Sequence, residues 1–343
     1  MFKQSLRTPL NEAISSARSS IWIAVIFSLF INVLALVSPL YMLQIYDRVL
    51  TSRNESTLIF LTLIVAFLLA VYAALEWCRT QVLVRGGVRF DRVVQEPLFT
   101  SVLKARLRGA ANADGQAIRD GDSIREFLTG PGLIAFCDAP WMPVFMAVSF
   151  LLHPAFALLA VIGGVIIFGL AIANEYATRA SLANASRASI AAQSDASATM
   201  RNAEVMRAMG MWRGLMQRWQ VRRDELIRWQ AQASDRGGGL MAAIKFSRAI
   251  LQTAILGLGG YLAIKGSITP GSMIAASILV GRSVAPIEAA VGQWKSFVAA
   301  RAAWSRLQSL FNATKESEDK MSLPAPKGAL SVEAILVAPP GSK

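Results

Sequence analysis

The sequence is poor in the residues that most often build metal centres and disulfide frameworks. Its 343 residues include two cysteines, Cys78 and Cys137, and a single histidine, His153. Two cysteines cannot form the multi-bridge framework of a small secreted domain, and no cysteine and histidine residues have the spacing of a zinc site. His153 precedes a proline, which favours a role in a turn over one as a ligand or a base. We therefore predict no metal site in this chain.

The chain also lacks a recognisable catalytic or nucleotide-binding motif. No G-x-x-x-x-G-K-[ST] sequence occurs, and Pro340–Lys343 is only superficially similar to the end of such a phosphate-binding loop. Gly237–Gly239 follows no predicted strand, so we interpret it as a hinge rather than a phosphate cradle. The sequence therefore predicts no catalytic site and no cofactor site in this chain, and any energy that it uses must come from elsewhere.

Charged residues are scarce and unevenly distributed. They make up 17% of the chain, against about 25% in an ordinary soluble domain. Ile21–Tyr46 contains no charged side chain, and Leu133–Ala173 contains only Asp138. About 20 apolar helical residues cross the roughly 30 Å hydrocarbon core of a bilayer, and the first apolar run is too long for a cleavable signal peptide. The sequence therefore predicts an all-α protein that crosses the lipid bilayer several times.

Prolines divide the apolar stretches into six predicted spans. The residue before a proline is disfavoured in a helix, so His153 and Pro154 are expected to separate two spans by a very tight turn. Pro270 is expected to open the last span, because proline is favoured at the first helical position. The predicted spans cover about residues 21–43, 57–77, 136–152, 155–173, 240–264 and 269–292.

Positive charge is concentrated on one side of these spans. The connections at 47–56, 153–154 and 265–267 carry three basic residues in all, whereas segments 79–132 and 174–239 carry nine and ten. Cytoplasmic loops of membrane proteins are enriched in Lys and Arg, so both termini are predicted to lie in the cytoplasm. The same rule accounts for the net charge of +13 without nucleic acid as a partner.

The two basic segments are long enough to form helical hairpins beyond the membrane. Residues 155–269 contain no proline, and residues 177–198 include nine alanines, the best helix formers. The fourth span is therefore predicted to continue as a helix and to return through a second helix around residues 215–236. Segment 79–130 has a similar length, with a break at 109–115. The predicted fold has six transmembrane helices and two long cytoplasmic helical hairpins; the alternative is that both segments are solvated loops.

Four charged residues lie in or beside the last two predicted spans. Charged groups at membrane depth are costly and usually face a cavity, a transport pathway or a partner. Lys245 and Arg248 could instead lie at the inner membrane interface and extend their side chains into it. These candidate pathway or interface residues are Lys245, Arg248, Arg282 and Glu288.

Four short motifs carry a resemblance to a known family. Tyr41–Leu50 (YMLQIYDRVL) closely resembles a motif of the type I secretion system permease/ATPase family of ABC exporters, the branch that exports proteases and RTX proteins. Asp138–Pro143 (DAPWMP) resembles the start of that family's third helix, and Asn202–Met211 resembles its second cytoplasmic turn. Arg301–Leu307 is similar to the stretch that leads out of its sixth helix. The resemblance covers nearly the whole chain.

The resemblance implies an exporter of the bacterial inner membrane that works as a homodimer. Residues 21–313 would form its transmembrane domain, preceded by a cytoplasmic segment, 1–20. Residues 314–343 would form a linker and the start of an ATP-binding domain, with its first strand at 330–337. In the complete transporter this domain would bind ATP and magnesium. Unfolded protein would pass outward through a periplasmic membrane fusion adaptor and an outer-membrane channel.

Two other functions fit the same sequence. An exporter of peptides or lipids shares this architecture. A membrane scaffold that transports nothing would also explain why the chain carries no ATPase motif.

The resemblance further implies that the far ends of the hairpins transmit the motion of the ATP-binding domain. In Asn202–Met211, and in the equivalent turn near 101–108, charged residues lie beside apolar ones. Apolar anchors with a charged rim are typical of protein interfaces; the alternative is that both turns only close their own hairpins. The candidate coupling residues are Leu103, Lys104, Arg106, Glu204, Val205, Met206 and Arg207.

The predicted topology can be tested with single cysteines in a variant without the native ones. Cysteines at Ser52 and Ser267 should react with a membrane-impermeant maleimide added to the periplasmic side, because both lie in the charge-poor connections. Cysteines at Ala111 and Ser234 should react only after the inner membrane is permeabilised. Labelling of the Ala111 variant in intact spheroplasts would contradict the topology.

Overall fold

The computed structural model describes residues 9–107 and 115–315, together with Gly328, Glu333 and Ala334. All regular structure in this part of the chain is helical, and six helical segments there are long and apolar enough to cross a membrane, as predicted. The predicted strand at 330–337 falls almost entirely outside the described residues. The helices are α1 (Pro9–Leu34), α2 (Val37–Gln44), α3 (Leu50–Ser52), α4 (Glu55–Leu107), α5 (Gln116–Thr129), α6 (Pro131–Asp138), α7 (Met142–Leu152), α8 (Pro154–Arg201), α9 (Ala203–Ala208), α10 (Trp212–Ile264), α11 (Pro270–Gly292) and α12 (Trp294–Lys315).

The first span is longer and less regular than predicted. Helix α1 begins at Pro9, before the predicted start of the span at residue 21. A break at Ala35 and Leu36 separates α1 from α2, because Pro39 lacks an N–H group and its ring clashes with the carbonyl four residues earlier. A π-helical turn, Ile45–Val49, then leads to α3.

Three further spans continue far past the length that a bilayer needs. Helix α4 has 53 residues and is therefore about 80 Å long. Helices α8 and α10 have 48 and 53 residues and pack on each other, so the chain returns along α8 through a second helix. That this hairpin lies in the cytoplasm stays a prediction. We call the end of the structure that holds residues 202–211 the hairpin end. The opposite end, where connections 52–55 and 265–269 lie, is the short-loop end.

The predicted hinge at Gly237–Gly239 is wrong. All three glycines lie within α10, which continues through them without a break. Glycine in a helix interior costs about 1 kcal/mol relative to alanine, and the packing of α10 on α8 offsets this cost. A Cβ atom on Gly237 would lie 3.5 Å from the Cγ2 atom of Thr178 in α8.

The tight turns follow the prolines as predicted. His153 has an extended backbone, and its Nδ1 atom accepts a hydrogen bond from the Ala155 N–H group at 3.2 Å. The side chain thus caps α8, which confirms its role in a turn. Thr269 caps α11 in the same way, with Pro270 at the first helical position.

Two large apolar clusters of the described residues hold the helices together. The cluster at the hairpin end joins the start of α1 to α4, α5 and α12, and Leu10 and Ala13 are fully buried in it. Residues 9–20 are therefore continuous with the first span and packed on other helices. The second cluster joins α8, α10 and α11 within the predicted spans, around Phe156, Ile255 and Val280.

A carboxylate connects the first and last spans at the short-loop end. Asp47, in the π-helical turn, accepts a hydrogen bond from the Thr269 hydroxyl at 2.6 Å and one from the Gly271 N–H group at 2.9 Å. A negative side chain at a helix N-terminus satisfies free N–H groups and interacts favourably with the helix dipole. The approach requires glycine, because a Cβ atom on Gly271 would lie 2.6 Å from Asp47 Oδ1 and 2.8 Å from the Leu43 carbonyl oxygen.

The substitution Gly271→Ala should therefore destabilise the protein. Overpacking of this kind costs about 1–3 kcal/mol. The matched control is Gly257→Ala, because a Cβ atom there meets nothing within 4 Å. Size-exclusion chromatography after heating should show a lower midpoint temperature for Gly271→Ala and an unchanged or higher one for Gly257→Ala. Equal midpoints for the two variants would show that the Asp47 contact does not need glycine.

Candidate functional site at the hairpin end and in the spans

The turn between α8 and α10 lies at the predicted residues, 202–211. The short helix α9 crosses the end of the hairpin. The Met211 N–H group donates a hydrogen bond to the Met206 carbonyl at 3.1 Å, and Gly210 has a φ angle of +67°. A positive φ angle favours glycine, so Gly210 allows the chain to reverse within a few residues. The structure fixes the position of this turn, and its role in coupling stays a prediction.

The tip of this hairpin is apolar and exposed. Val205 is 58% exposed and Met209 is 67% exposed, with Glu204 and Arg207 exposed beside them, whereas Met206 is half-buried. Exposed apolar patches mark interaction surfaces, and methionine adapts to irregular partners. The predicted segment Asn202–Met211 contains Val205, Met209 and Met211, whereas Met200 and Trp212 lie just outside it. We call this apolar patch the methionine tip; its residues are Met200, Val205, Met209, Met211 and Trp212.

The corresponding segment of the first hairpin is a helix rather than a turn. Residues 101–107 form the last two turns of α4, and Arg108 lies outside the described residues. Ser101 and Ala105 are buried, and the Thr314 hydroxyl donates a hydrogen bond to the Ser101 hydroxyl at 3.2 Å. Packing against α12 thus extends α4 past the predicted start of the turn. Of the candidate residues here, Leu103 and Arg106 are exposed, as is the neighbouring Leu107, and Lys104 is half-buried.

The four candidate charges of the last two spans do not form one site. Arg248 in α10 and Glu288 in α11 form an ion pair with a nitrogen–oxygen distance of 2.5 Å. Both side chains are partly buried, so the pair connects the two helices. Lys245 and Arg282 are exposed and form no ion pair with another described residue. Arg248 and Glu288 thus join two helices of the same chain. A role for any of the four residues in lining a pathway or in an interface stays a prediction.

A buried charge network that sequence reasoning missed joins three helices. Arg79 in α4 is 2% exposed. Its Nη1 atom donates to Asp138 Oδ1 at 3.0 Å and to the Ser28 hydroxyl of α1 at 2.9 Å. Asn32 of α1 donates to the same Asp138 oxygen at 3.0 Å. Asp138 is the only charge in its apolar run and so required a partner; this signal could have directed attention to Arg79, two residues past the second predicted span.

A buried carboxylate holds α12 at the hairpin end. Asp120 of α5 is 2% exposed. It accepts two hydrogen bonds from Arg306, at 2.8 Å from Nε and 2.7 Å from Nη2. These hydrogen bonds raise the pKa of the Arg306 guanidinium above its ordinary value. The bidentate geometry fixes the helix that leads out of the last span against α5.

The described residues thus form six apolar spans, and three of these helices extend far beyond the length of a bilayer. The ABC transporter transmembrane region matches residues 21–283. The chain belongs to this family.

Several bacterial secretion proteins are similar to the chain. It is 39% identical, over 92% of its length, to the type I secretion system ATP-binding protein PrsD of Rhizobium meliloti, and it covers 54% of that protein. It is 24% identical over 90% of its length to the toxin RTX-I translocation ATP-binding protein of Actinobacillus pleuropneumoniae, covering 45% of it. The leukotoxin translocation ATP-binding protein LktB of Mannheimia haemolytica is 27% identical over 90% of the chain, which covers 44% of LktB. The chain thus spans about half the length of the curated relatives it matches.

The substitution Asp138→Ala should strongly destabilise this ABC transporter transmembrane region. It leaves the buried Arg79 charge with only a longer ion pair, to the half-exposed Glu76 at 3.5 Å, and breaking a buried pair typically costs about 3–5 kcal/mol. Asp122→Ala is the matched control, because its ion pair with Arg125 is half-exposed and such pairs contribute about 0–1 kcal/mol. Unfolding in mixed micelles of increasing SDS content measures both.

A double variant distinguishes the stability lost because a buried charge loses its close partner from the stability lost with the contact itself. Arg79→Met combined with Asp138→Leu removes both charges and should recover part of the stability that Asp138→Ala loses. If Asp138→Ala unfolds at the same SDS content as Asp122→Ala, the network contributes little to stability.

Proposed function

We propose that this chain forms the transmembrane permease of a type I secretion ABC exporter, which moves unfolded polypeptide across the bacterial inner membrane. The observation that carries the proposal is the similarity to PrsD, which extends over 92% of the chain. The relatives named for toxin and leukotoxin translocation point to the same class of cargo. An exporter of peptides or lipids, and a scaffold without transport, fit these relatives less well.

In this proposal the hairpin end faces the cytoplasm. The concentration of Lys and Arg in segments 79–132 and 174–239 supports this orientation. Two copies of the chain would enclose the pathway, since α8 and α10 present long apolar faces that are exposed in one copy, including Val165 and Phe246. A periplasmic membrane fusion adaptor and an outer-membrane channel would receive the cargo at the short-loop end.

An ATP-binding domain, with ATP and magnesium, would supply the energy. We propose that it binds the methionine tip, and that the end of α4 contributes Leu103 and Leu107 to the same contact. Helices α8 and α10 would carry its motion to the spans as one rigid body. An ion pair between Arg222 and Asp195, at 2.6 Å, supports this by joining the two helices between the tip and the predicted spans.

The coupling role can be tested in the complete transporter with Val205→Asp. This change places a charge in the apolar contact and should lower secretion about tenfold or more while ATP hydrolysis continues, since the few residues that dominate an interface contribute about 2 kcal/mol or more each. Val205 suits the test better than Met206, because Met206 is half-buried and its replacement could disturb the turn itself.

The matched control is Val221→Asp, at a valine of α10 that is 65% exposed and lies away from the tip. Secretion and ATP hydrolysis by this variant should stay near the wild-type values. Both variants should insert and elute like the wild-type protein. Secretion at the wild-type level by Val205→Asp would show that the methionine tip has no role in coupling.

A further inference from the structure

Two neighbouring cavities, of about 390 and 340 Å³, lie along the hairpin that α8 and α10 form. Arg187 and Ala191 of α8 line both cavities, so the two adjoin and form one groove. The larger cavity contains the ion pair between Asp195 and Arg222, between the methionine tip and the predicted spans. Each cavity is within the usual size of a small-molecule site, about 300–1,000 Å³. The groove is therefore large enough for a ligand that has two parts.

The larger cavity is positively charged. Arg119 of α5, Arg187 of α8 and Arg222 of α10 line it, and Asp195 is the only acidic residue of its described lining. Asp195 pairs with Arg222. Arg119 and Arg187 are exposed and form no ion pair with another residue that the structure describes. Arginine side chains bind phosphate through several N–H donors, so this cavity fits a phosphorylated group.

The smaller cavity combines an aromatic ring with polar groups. The half-buried Trp229 of α10 lines it, together with the exposed Glu225 one turn away and Asn184 of α8. Aromatic side chains stack on nucleobases. Guanine presents two neighbouring N–H donors on its Watson–Crick edge, and a carboxylate can accept both. Adenine has an acceptor nitrogen beside its donor on this edge, which a carboxylate would repel. The smaller cavity therefore suits guanine.

The helical register places the two kinds of group in one line. Arg222, Glu225 and Trp229 are separated by three and four residues, so they share one face of α10. Arg222 and Trp229 are thus about 10 Å apart along the helix axis, at 1.5 Å per residue. This separation is similar to the reach from the base to the terminal phosphate of an extended nucleoside diphosphate. Arg187 lies between the two ends, because it lines both cavities.

We propose that this groove binds a guanine nucleotide. The base stacks on Trp229 and donates to the Glu225 carboxylate, and the phosphates bind Arg119, Arg187 and Arg222. The ligand contacts both helices of the hairpin that carries the proposed coupling motion, so its binding would change how rigidly α8 and α10 move together. The site uses only residues of this chain and is separate from the ATP-binding domain of the complete transporter. Its occupation does not depend on which cargo is exported.

Binding can be measured with the full chain in lipid nanodiscs. The probe is GDP with a methylanthraniloyl group on the ribose, which leaves the base and the phosphates free, and its fluorescence anisotropy reports binding. The sequence contains no G-x-x-x-x-G-K-[ST] loop, so binding of the probe cannot arise from such a loop. Arg187→Gln removes an exposed charge of the groove and should weaken binding about tenfold, as expected when a hydrogen bond to a charged group is lost.

The matched control is Arg223→Gln. It makes the same change at an exposed arginine of α10 that lines neither cavity. The affinity should stay within a factor of about two of the wild-type value, because salt screens exposed charges outside the site.

A further variant tests recognition of the base. Unlabelled GDP should displace the probe from the wild-type chain at about a tenfold lower concentration than ADP, since a bidentate contact to a base discriminates by about this factor or more. Glu225→Gln should remove or reverse this preference, because a glutamine amide can both accept from and donate to the edge of adenine. Glu225 and Arg187 are both exposed, so the two variants should elute like the wild-type protein.

Each contrary result identifies a different error. If the wild-type chain does not bind the probe, or if Arg187→Gln and Arg223→Gln bind it equally well, the groove is not a nucleotide site. Displacement by pyrophosphate as readily as by GDP would show an anion site without base recognition and would overturn the inference. Equal displacement by GDP and ADP, from the wild-type chain and from Glu225→Gln alike, would overturn the assignment of guanine. The proposed export of protein is tested separately, by the secretion experiments.

Discussion

The absence of water from the bilayer interior determines most of this structure. Backbone N–H and C=O groups that cross the hydrocarbon core must find partners within the chain, which in this protein means helices. Where a helix breaks near the membrane, a side chain replaces the lost partner. His153 caps α8, and Asp47 with Thr269 caps α11. The same constraint makes each buried charge depend on its counter-charge, as Arg79 depends on Asp138.

Local features of the sequence were sufficient to predict the spans and their turns. Apolar length predicts a crossing, and prolines at 154 and 270 predict where a helix begins, because both signals act within a few residues. The contacts that define the candidate sites are of another kind. Arg79 and Asp138 are 59 residues apart, and Asp47 and Gly271 are 224 residues apart. No periodic pattern connects such pairs, so they became visible only when the helices were placed in space.

The motif Gly237–Gly239 shows the same limit of prediction from sequence alone. Three consecutive glycines in a sequence indicate flexibility, and a hinge was the natural interpretation of Gly237–Gly239. Continuous packing of α10 on α8 keeps this segment helical. The absence of side chains at these glycines leaves space next to α8. The effect of such space depends on which helix packs against the glycines, and the sequence alone does not show this. The turn predicted near 101–108 was wrong for a related reason, since residues 101–107 continue α4 and pack against α12.

The composition of the methionine tip has a chemical consequence. Met200, Met209 and Met211 are all exposed, and exposed thioethers are open to oxidants. Conversion to the sulfoxide makes a flexible apolar side chain polar, and reductases reverse this change. A surface that relies on methionine to fit its partner would therefore lose its apolar character under oxidative stress and regain it on repair. Oxidation of these three side chains would therefore make the surface that is proposed to bind the ATP-binding domain sensitive to the redox state of the cell.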